Sequence, residues 1–187
     1  MVPVDFLTVP TLRLQVVYVF LIQAHDRRRI VHFNVTSHPT AEWTVQQLRE
    51  AFPLDQCPRY LVRDRDCIFG AEFQKSVKDM GIEEVLTALR SPWQNSYVER
   101  VIGTIRRECL DHVIVFGEDS LRRHLKSYLA YYHNSRTHLS LGMPNCSGSP
   151  PTKDTPESRP VQSAKEGEIV AIPQVGGLHH RYERRAA

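Results

Sequence analysis

"VPVDFL" (residues 2–7), "VVYVFLI" (16–22) and "RIVHFNV" (29–35) decide how this chain begins to fold. All three are rich in Val, Ile, Phe and Tyr, and the turn-like stretches TVPT and AHDRR separate them, so they predict three successive β-strands. Strands joined this closely pair most simply as an antiparallel meander. Asp5 interrupts the first of them between Val4 and Phe6, where an ionised carboxylate is costly to bury unless a cation meets it.

Downstream the period of the apolar residues changes. "SHPTAEWTVQQLREAF" (37–52) offers Thr40 as an N-cap, sets Trp43, Leu48, Ala51 and Phe52 near one helical face, and is stopped by Pro53. "RYLVRD" (59–64) predicts a short strand, "AEFQKSVKDMG" (71–81) a helix closed by Gly81, and "IEEVLT" (82–87) another strand. A meander followed by strand and helix alternation implies a mixed sheet with helices packed on it, an α/β fold. Two core helices follow. Val98, Val101, Ile102, Ile105 and Cys109 form the buried face of one, and Leu121, Leu125, Tyr128, Leu129 and Tyr132 that of the other.

From Gly142 the composition turns to "GMPNCSGSPPTKDTPESRP", a Pro, Ser and Gly cluster with too little apolar surface to order itself. The expected organisation is a core at 1–141, a linker at 142–165 and a tail at 166–187, where "GEIVAIPQVGGLHHRYERR" predicts a short strand pair.

Composition bounds the partners. A chain of 187 residues with 41% hydrophobic content supports one core, and its net charge of +3 permits a nucleic-acid partner without demanding one. Cys57, Cys67, Cys109 and Cys146 are scattered without a CxxC pair, and the first residues do not resemble a signal peptide, so a reduced cytoplasmic protein is expected. The longest apolar run, Val16 to Ile22, is seven residues. Crossing a bilayer takes roughly 18–20, so no membrane partner is expected.

Three carboxylates converge on this frame. Asp64 ends the fourth predicted strand, and if that strand pairs with the first, Asp64 and Asp5 are neighbours at the sheet edge. Glu99 approaches from the following helix. Such an oxygen-rich set suits hard cations, Mg²⁺ or Mn²⁺, which bind phosphate oxygens and keep several waters. Asp66 competes with Asp64, since strand alternation puts both on one side; its other role is a turn-forming Asp ahead of the next helix.

"VDF" in a first strand, "RDRDCIFGAEF" after a fourth and "SPWQNSYVERVIGTIRRECL" (91–110) on a later helix resemble the three acidic blocks of the integrase catalytic core, shared by insertion-sequence transposases and retroviral integrases. "YYHNSRTHLSL" (131–141) resembles the tract that closes the bacterial members, in Tyr132, Asn134, Arg136, His138 and Leu141. The resemblance covers roughly residues 2–141. It implies a ribonuclease H-like fold with a five-stranded mixed sheet. It also implies a DDE triad of Asp5, Asp64 and Glu99 holding two divalent ions, and in-line attack of a water or 3′-hydroxyl on a DNA phosphodiester. Asp64 follows Asp5 by 59 residues and Glu99 follows Asp64 by 35, close to the family's separations. Phe69, five positions after Asp64, matches the family's aromatic and favours Asp64 over Asp66.

The implied activity is DNA end cleavage and strand transfer, transposition, on double-stranded element ends and target DNA. It would be carried out by a homo-oligomer in a bacterial cytoplasm, associated with the nucleoid when on DNA. The alternatives are a catalytically silent DNA-binding remnant and a ribonuclease H-like nuclease acting on hybrids. The intact acids argue against the first and the YYHNSRTH tract against the second. Asp5 stands four residues after Met1, which leaves no room upstream for the helix-turn-helix that similar transposases use to find element ends. Weak, salt-sensitive DNA binding is therefore expected.

Among the basic residues, Arg106 lies two helical turns past Glu99 on nearly the same face and is the candidate phosphate contact; Arg100 and Arg107, on other faces, are secondary. Arg27, Arg28 and Arg29 are expected to be a solvated turn or an unspecific backbone contact. Trp93 and Tyr97 suit hydrophobic packing better than base stacking, Asn95 and Ser96 a helix N-terminus, and His112, His179 and His180 lack the partners of a metal site.

Overall fold

The computed structural model describes residues 1–53, 57–88, 92–143, 152–157 and 167–185. Five strands, β1 (Val2–Pro10), β2 (Val16–Gln23), β3 (Ile30–Thr36), β4 (Tyr60–Arg63) and β5 (Glu83–Leu86), form one sheet in the order β3-β2-β1-β4-β5. β1, β2 and β3 are the antiparallel meander, whereas β4 runs parallel to β1 and β5 parallel to β4. Parallel neighbours need a crossover. α1 (Ala41–Ala51) lies between β3 and β4, and α2 (Ala71–Asp79) between β4 and β5. Then come α3 (Ser96–Glu108) and α4 (Glu118–Asn134).

Local chemistry sets these bounds. The Thr40 hydroxyl accepts the Trp43 N–H at 3.2 Å and caps α1, and Pro53, just past Phe52, cannot continue the helix. α2 ends because Gly81, at φ +73°, turns the chain left-handed; its N–H bonds the Lys78 carbonyl and the Ile82 N–H that of Val77.

The pleat sorts side chains onto two faces. Val2 and Val4 of β1, with Phe20 and Ile22 of β2, pack against Val45 and Leu48 of α1 and Phe73 and Val77 of α2. Leu7 and Val9, with Val17, Val19 and Leu21, pack against Val98, Ile105, Leu121, Leu125 and Tyr128 of α3 and α4. Each large side chain buried this way contributes roughly 1.5–3 kcal/mol. A helical layer on both faces is why β2, "VVYVFLIQ", is apolar almost throughout and does not alternate.

Two hairpins lie outside the main sheet. β6 (His138–Met143) pairs with β7 (Thr152–Asp154), and β8 (Glu168–Gln174) with β9 (His179–Arg185). Part of the stretch expected as a linker is thus held against the core. Most of it, with Cys146, lies outside the described residues. The arginine turn also departs from expectation. Arg27 donates to the Asp154 carboxylate at 2.7 Å, to the Thr155 carbonyl at 2.7 Å and to the Pro156 carbonyl at 3.0 Å. Arg28 lies over the Tyr97 ring at 5.7 Å. The turn is a clamp on residues 152–157, because a guanidinium's fork of donors matches a carboxylate and adjacent carbonyls better than water-filled space.

Candidate active site

Parity positions the first acid. Val2 and Val4 face α1 and α2, Leu7 and Val9 face α3 and α4, and Asp5 has the parity of the latter. Asp64 follows from register. β1 and β4 pair Val2 with Leu61 and Pro3 with Val62, an offset of 59, which is the spacing from Asp5 to Asp64. Continued in that register, Asp64 comes abreast of Asp5 just beyond the last residue of β4. Leu61 packs on the α1 and α2 side, so alternation turns Asp64 to the α3 side. Glu99 stands exposed in the first turn of α3. The packing of α3 on β1 carries it to the same end.

Burial pushes the half-buried Asp5 carboxyl up to about 7; the Phe6 N–H, donating to Oδ1 at 2.7 Å, opposes this, and the charges of Asp64, Glu99 and Asp66 add to it. Burial is the largest of these causes, and the neighbouring acids reinforce it. Asp64 accepts the Asp66 N–H at 3.2 Å, and Glu99 has no hydrogen-bond or ion-pair partner among the described residues. Free carboxylate oxygens with no paired Lys or Arg are a donor set that fits a hard divalent ion. Among the described residues no three His, Cys, Asp or Glu side chains stand close enough together to form a ready-made metal shell.

The neighbours of the acids take separate roles. Asp66 accepts the Ile68 N–H at 3.0 Å, and its carbonyl accepts the Phe69 N–H at 3.1 Å, so it forms the turn that leads to α2. Asn95 is the N-cap residue of α3, but its side chain makes no capping bond. It is buried instead, with Nδ2 donating to the Val4 carbonyl at 3.4 Å and Oδ1 without a partner among the described residues. That ties the start of α3 to the residue before Asp5. Its sequence gave only a helix start, because a cap and a cross-strand tie use the same residue type. Trp93 is 69% exposed and does not pack into the core, and Tyr97 meets His25 edge-on at 4.3 Å.

The candidate DNA-binding arginines spread out. Arg106 Nη2 donates to the Thr8 carbonyl of β1 at 3.2 Å, about two helical turns from Glu99. Arg107 folds back toward Gly103, with Nη1 3.2 Å from where a Cβ there would sit. Arg100 is exposed.

The far end of α3 holds a different acid. Glu108 accepts Arg136 Nε at 2.8 Å, Nη2 at 2.7 Å and the Tyr128 hydroxyl at 2.8 Å. Burial pushes its carboxyl up, but the Arg136 and Tyr128 hydrogen bonds outweigh that and hold it below the usual range. Arg136 Nη1 lies 3.1 Å from His138 Nδ1; burial and the Arg136 charge push that imidazole down to about 4. His179 of β9 stacks on Tyr131 at 4.3 Å and donates to the Glu108 carbonyl at 2.8 Å. The YYHNSRTH tract is therefore a knot that joins α3, α4 and the C-terminal hairpin. His112 likewise bonds a carbonyl, that of Arg107, at 3.0 Å.

Residues 80–144 match the family described as "Integrase core domain", a span that contains Glu99 and the YYHNSRTH tract. No curated protein matches the chain. Among solved structures, a chain of the simian T-cell lymphotropic virus intasome, solved in complex with PP2A regulatory subunit B56 gamma, superposes with a TM-score of 0.58 at 16% identity; the match covers 97% of this chain but 65% of that one. The integrase catalytic core of HTLV-2 in complex with magnesium is similar in its dimeric form, with a TM-score of 0.53 at 13% identity over 73% of this chain and 88% of that one. In its trimeric form the TM-score is 0.52 at 15% identity, over 80% and 90%. No helix among the described residues is long and apolar enough to cross a membrane. Residues 80–144 thus match the integrase core domain family, and the sheet with its helices has the ribonuclease H-like fold seen in retroviral integrase catalytic cores.

Proposed function

We propose that this chain is the catalytic core of a DDE transposase or integrase, which cleaves DNA at element ends and transfers the ends to target DNA. The observation that carries the proposal is an acidic cluster without a counter-cation, in which burial and like charges bring Asp5 to about 7. Asp5, Asp64 and Glu99 are the ligands in this reading, for two Mg²⁺ or Mn²⁺ ions. Bound there, the ions would activate a water or 3′-hydroxyl and neutralise the leaving oxygen in an in-line phosphodiester attack.

The protein's own part is position and charge. Asp5 is fixed by the β1 ladder, and Asp64 directly follows the last residue of β4, so one acid stands on the rigid sheet and the second at its edge. Glu99 closes the set from α3 and, being exposed, stays open to an incoming phosphate. Arg106, with Arg100 and Arg107, supplies positive charge along the same helix for duplex DNA. A homo-oligomer assembled on DNA is supported by the likeness to an intasome chain and to dimeric and trimeric integrase cores.

The test combines cleavage of a labelled element-end duplex with thermal melts, with and without Mn²⁺. Wild type should gain stability from Mn²⁺ and cut in its presence, and Asp64→Asn should do neither. If wild type gains nothing, or the variant gains as much, the triad assignment is lost.

A further inference from the structure

Arg63 is the last residue of β4 and is 2% exposed. Its guanidinium lies on the α2 side of the sheet, over the Phe69 ring at 5.0 Å and the Phe73 ring at 5.6 Å. Nε and Nη2 donate to the two carboxylate oxygens of Glu84, on neighbouring β5, at 3.2 Å each. The remaining branch, Nη1, donates to the main-chain carbonyl of Asp64 at 2.9 Å.

This arrangement solves a specific problem. β4 ends at Arg63, and among the described residues no ladder partner is paired with Asp64. The next stretch is a turn, so among the described residues no strand pairing holds the Asp64 carbonyl, and the direction of the carboxylate depends on the peptide that carries that carbonyl. A guanidinium can hold a carboxylate with one edge and a carbonyl with its third branch, which an ammonium cannot do in a fixed plane. The partner strand is tied in at the same place: the Thr87 N–H donates to the Arg63 carbonyl at 3.0 Å, and Arg65 Nε to the Thr87 carbonyl at 3.1 Å. A buried ion pair is a poor way to gain stability, because desolvation offsets most of the attraction and an apolar pair of similar size often does as well. What an apolar pair cannot do is bond the Asp64 carbonyl.

We propose that the Arg63–Glu84 pair is a positioning device that holds the Asp64 peptide so that its carboxylate faces Asp5. The inference rests on the reading of Asp64 as a ligand, but the hold on its peptide can be measured without that reading. Arg63 and Glu84 touch no substrate; they act through Asp64 alone.

The experiment compares wild type, Arg63→Met/Glu84→Met and Arg63→Lys by amide hydrogen exchange, melting and Mn²⁺ titration. The double variant should melt close to wild type while the Asp66 amide, which donates to Asp64, exchanges about 10–100-fold faster, and Mn²⁺ affinity should fall by about 10–100-fold. Arg63→Lys keeps the charge pair but loses the bond to the carbonyl. It should show the same faster exchange at Asp66 and serves if the double variant does not fold. Unchanged Asp66 protection in a folded variant overturns the positioning role. Faster exchange with unchanged Mn²⁺ affinity overturns its link to the metal site. If wild type binds no Mn²⁺, the ligand assignment of Asp64 fails, and the exchange data still decide the role of Arg63.

Discussion

The two ends of α3 carry two glutamates that behave in opposite ways. Glu108, in the last turn, has both carboxylate oxygens engaged by Arg136 and a further bond from Tyr128. Glu99, in the first turn, has no partner among the described residues and shares its end of the sheet with Asp5 and Asp64. The helix is one rigid rod, so the difference lies in what each end meets. A carboxylate that serves structure is given its cation by the fold, as Glu108 is. Acids left together without one keep oxygens open to a ligand from outside the chain, which is the role proposed for Asp5, Asp64 and Glu99.

Removing acids at the unpaired end should have the largest effect on chemistry and the smallest on the fold. Asp5→Asn, Asp64→Asn and Glu99→Gln should each lower Mn²⁺-dependent cleavage by roughly 10³-fold, the scale of several kcal/mol of transition-state stabilisation. Metal-free melting points should stay level or rise, since one of several like charges has gone. A variant that keeps its activity, measured on a labelled duplex, would place Glu99 or its partners with the structural acids.

The paired end should respond in the reverse sense. Arg136→Ala leaves Glu108 half-buried without its cation and should cost about 2–4 kcal/mol, a fall in melting point of roughly 5–10 °C. The stabilisation that Mn²⁺ confers should remain. Loss of the Mn²⁺ response in a folded Arg136 variant would mean that the two ends are coupled through α3.

A smaller effect comes from pH. His138 in the folded chain titrates at about 4, against about 6.5 when unfolded, so between these values the unfolded state binds more protons. Its contribution to stability is complete above pH 6.5 and is lost as pH falls toward 4. His133, whose Nε2 accepts the Ile30 N–H at 3.0 Å, is shifted in the same direction by burial. Melts of wild type and His138→Gln across that window should show a shallower acid loss in the variant. Identical slopes would remove His138 from the knot's energetics.

The smallest effect concerns DNA. Arg106→Ala should weaken duplex binding and lower the salt slope by about one, with Arg100→Ala weaker still in effect. Because Arg106 is bonded to the Thr8 carbonyl, a phosphate must compete for it. Equal losses in a binding titration at two salt concentrations would point to diffuse charge on the helix and not to a directed contact.

The sequence alone determined β1 to β5, α1 to α4, the C-terminal strand pair and their order, but not the β6–β7 hairpin. Runs rich in Val, Ile, Phe and Tyr between turn-like stretches marked β1 to β3, and Val98, Val101, Ile102 and Ile105 marked the buried face of α3. Thr40 and Gly81 gave helix ends, because a cap or a left-handed turn acts on its own neighbours. The candidate acids were legible too, since a carboxylate between Val4 and Phe6 violates the local pattern and so demands a reason. What only the tertiary structure decided is who meets whom. Arg27 meets Asp154 across 127 residues, Arg136 meets Glu108 across 28, and Arg63 meets Glu84 across 21. A side chain's period states which face it belongs to, whereas its partner depends on how distant strands and helices are stacked. For that reason three arginines in a turn read as solvated, residues 152–157 read as part of a linker, and Asn95 read as a cap, until the docking of 152–157 on Arg27 and the packing of α3 on β1 gave them their neighbours.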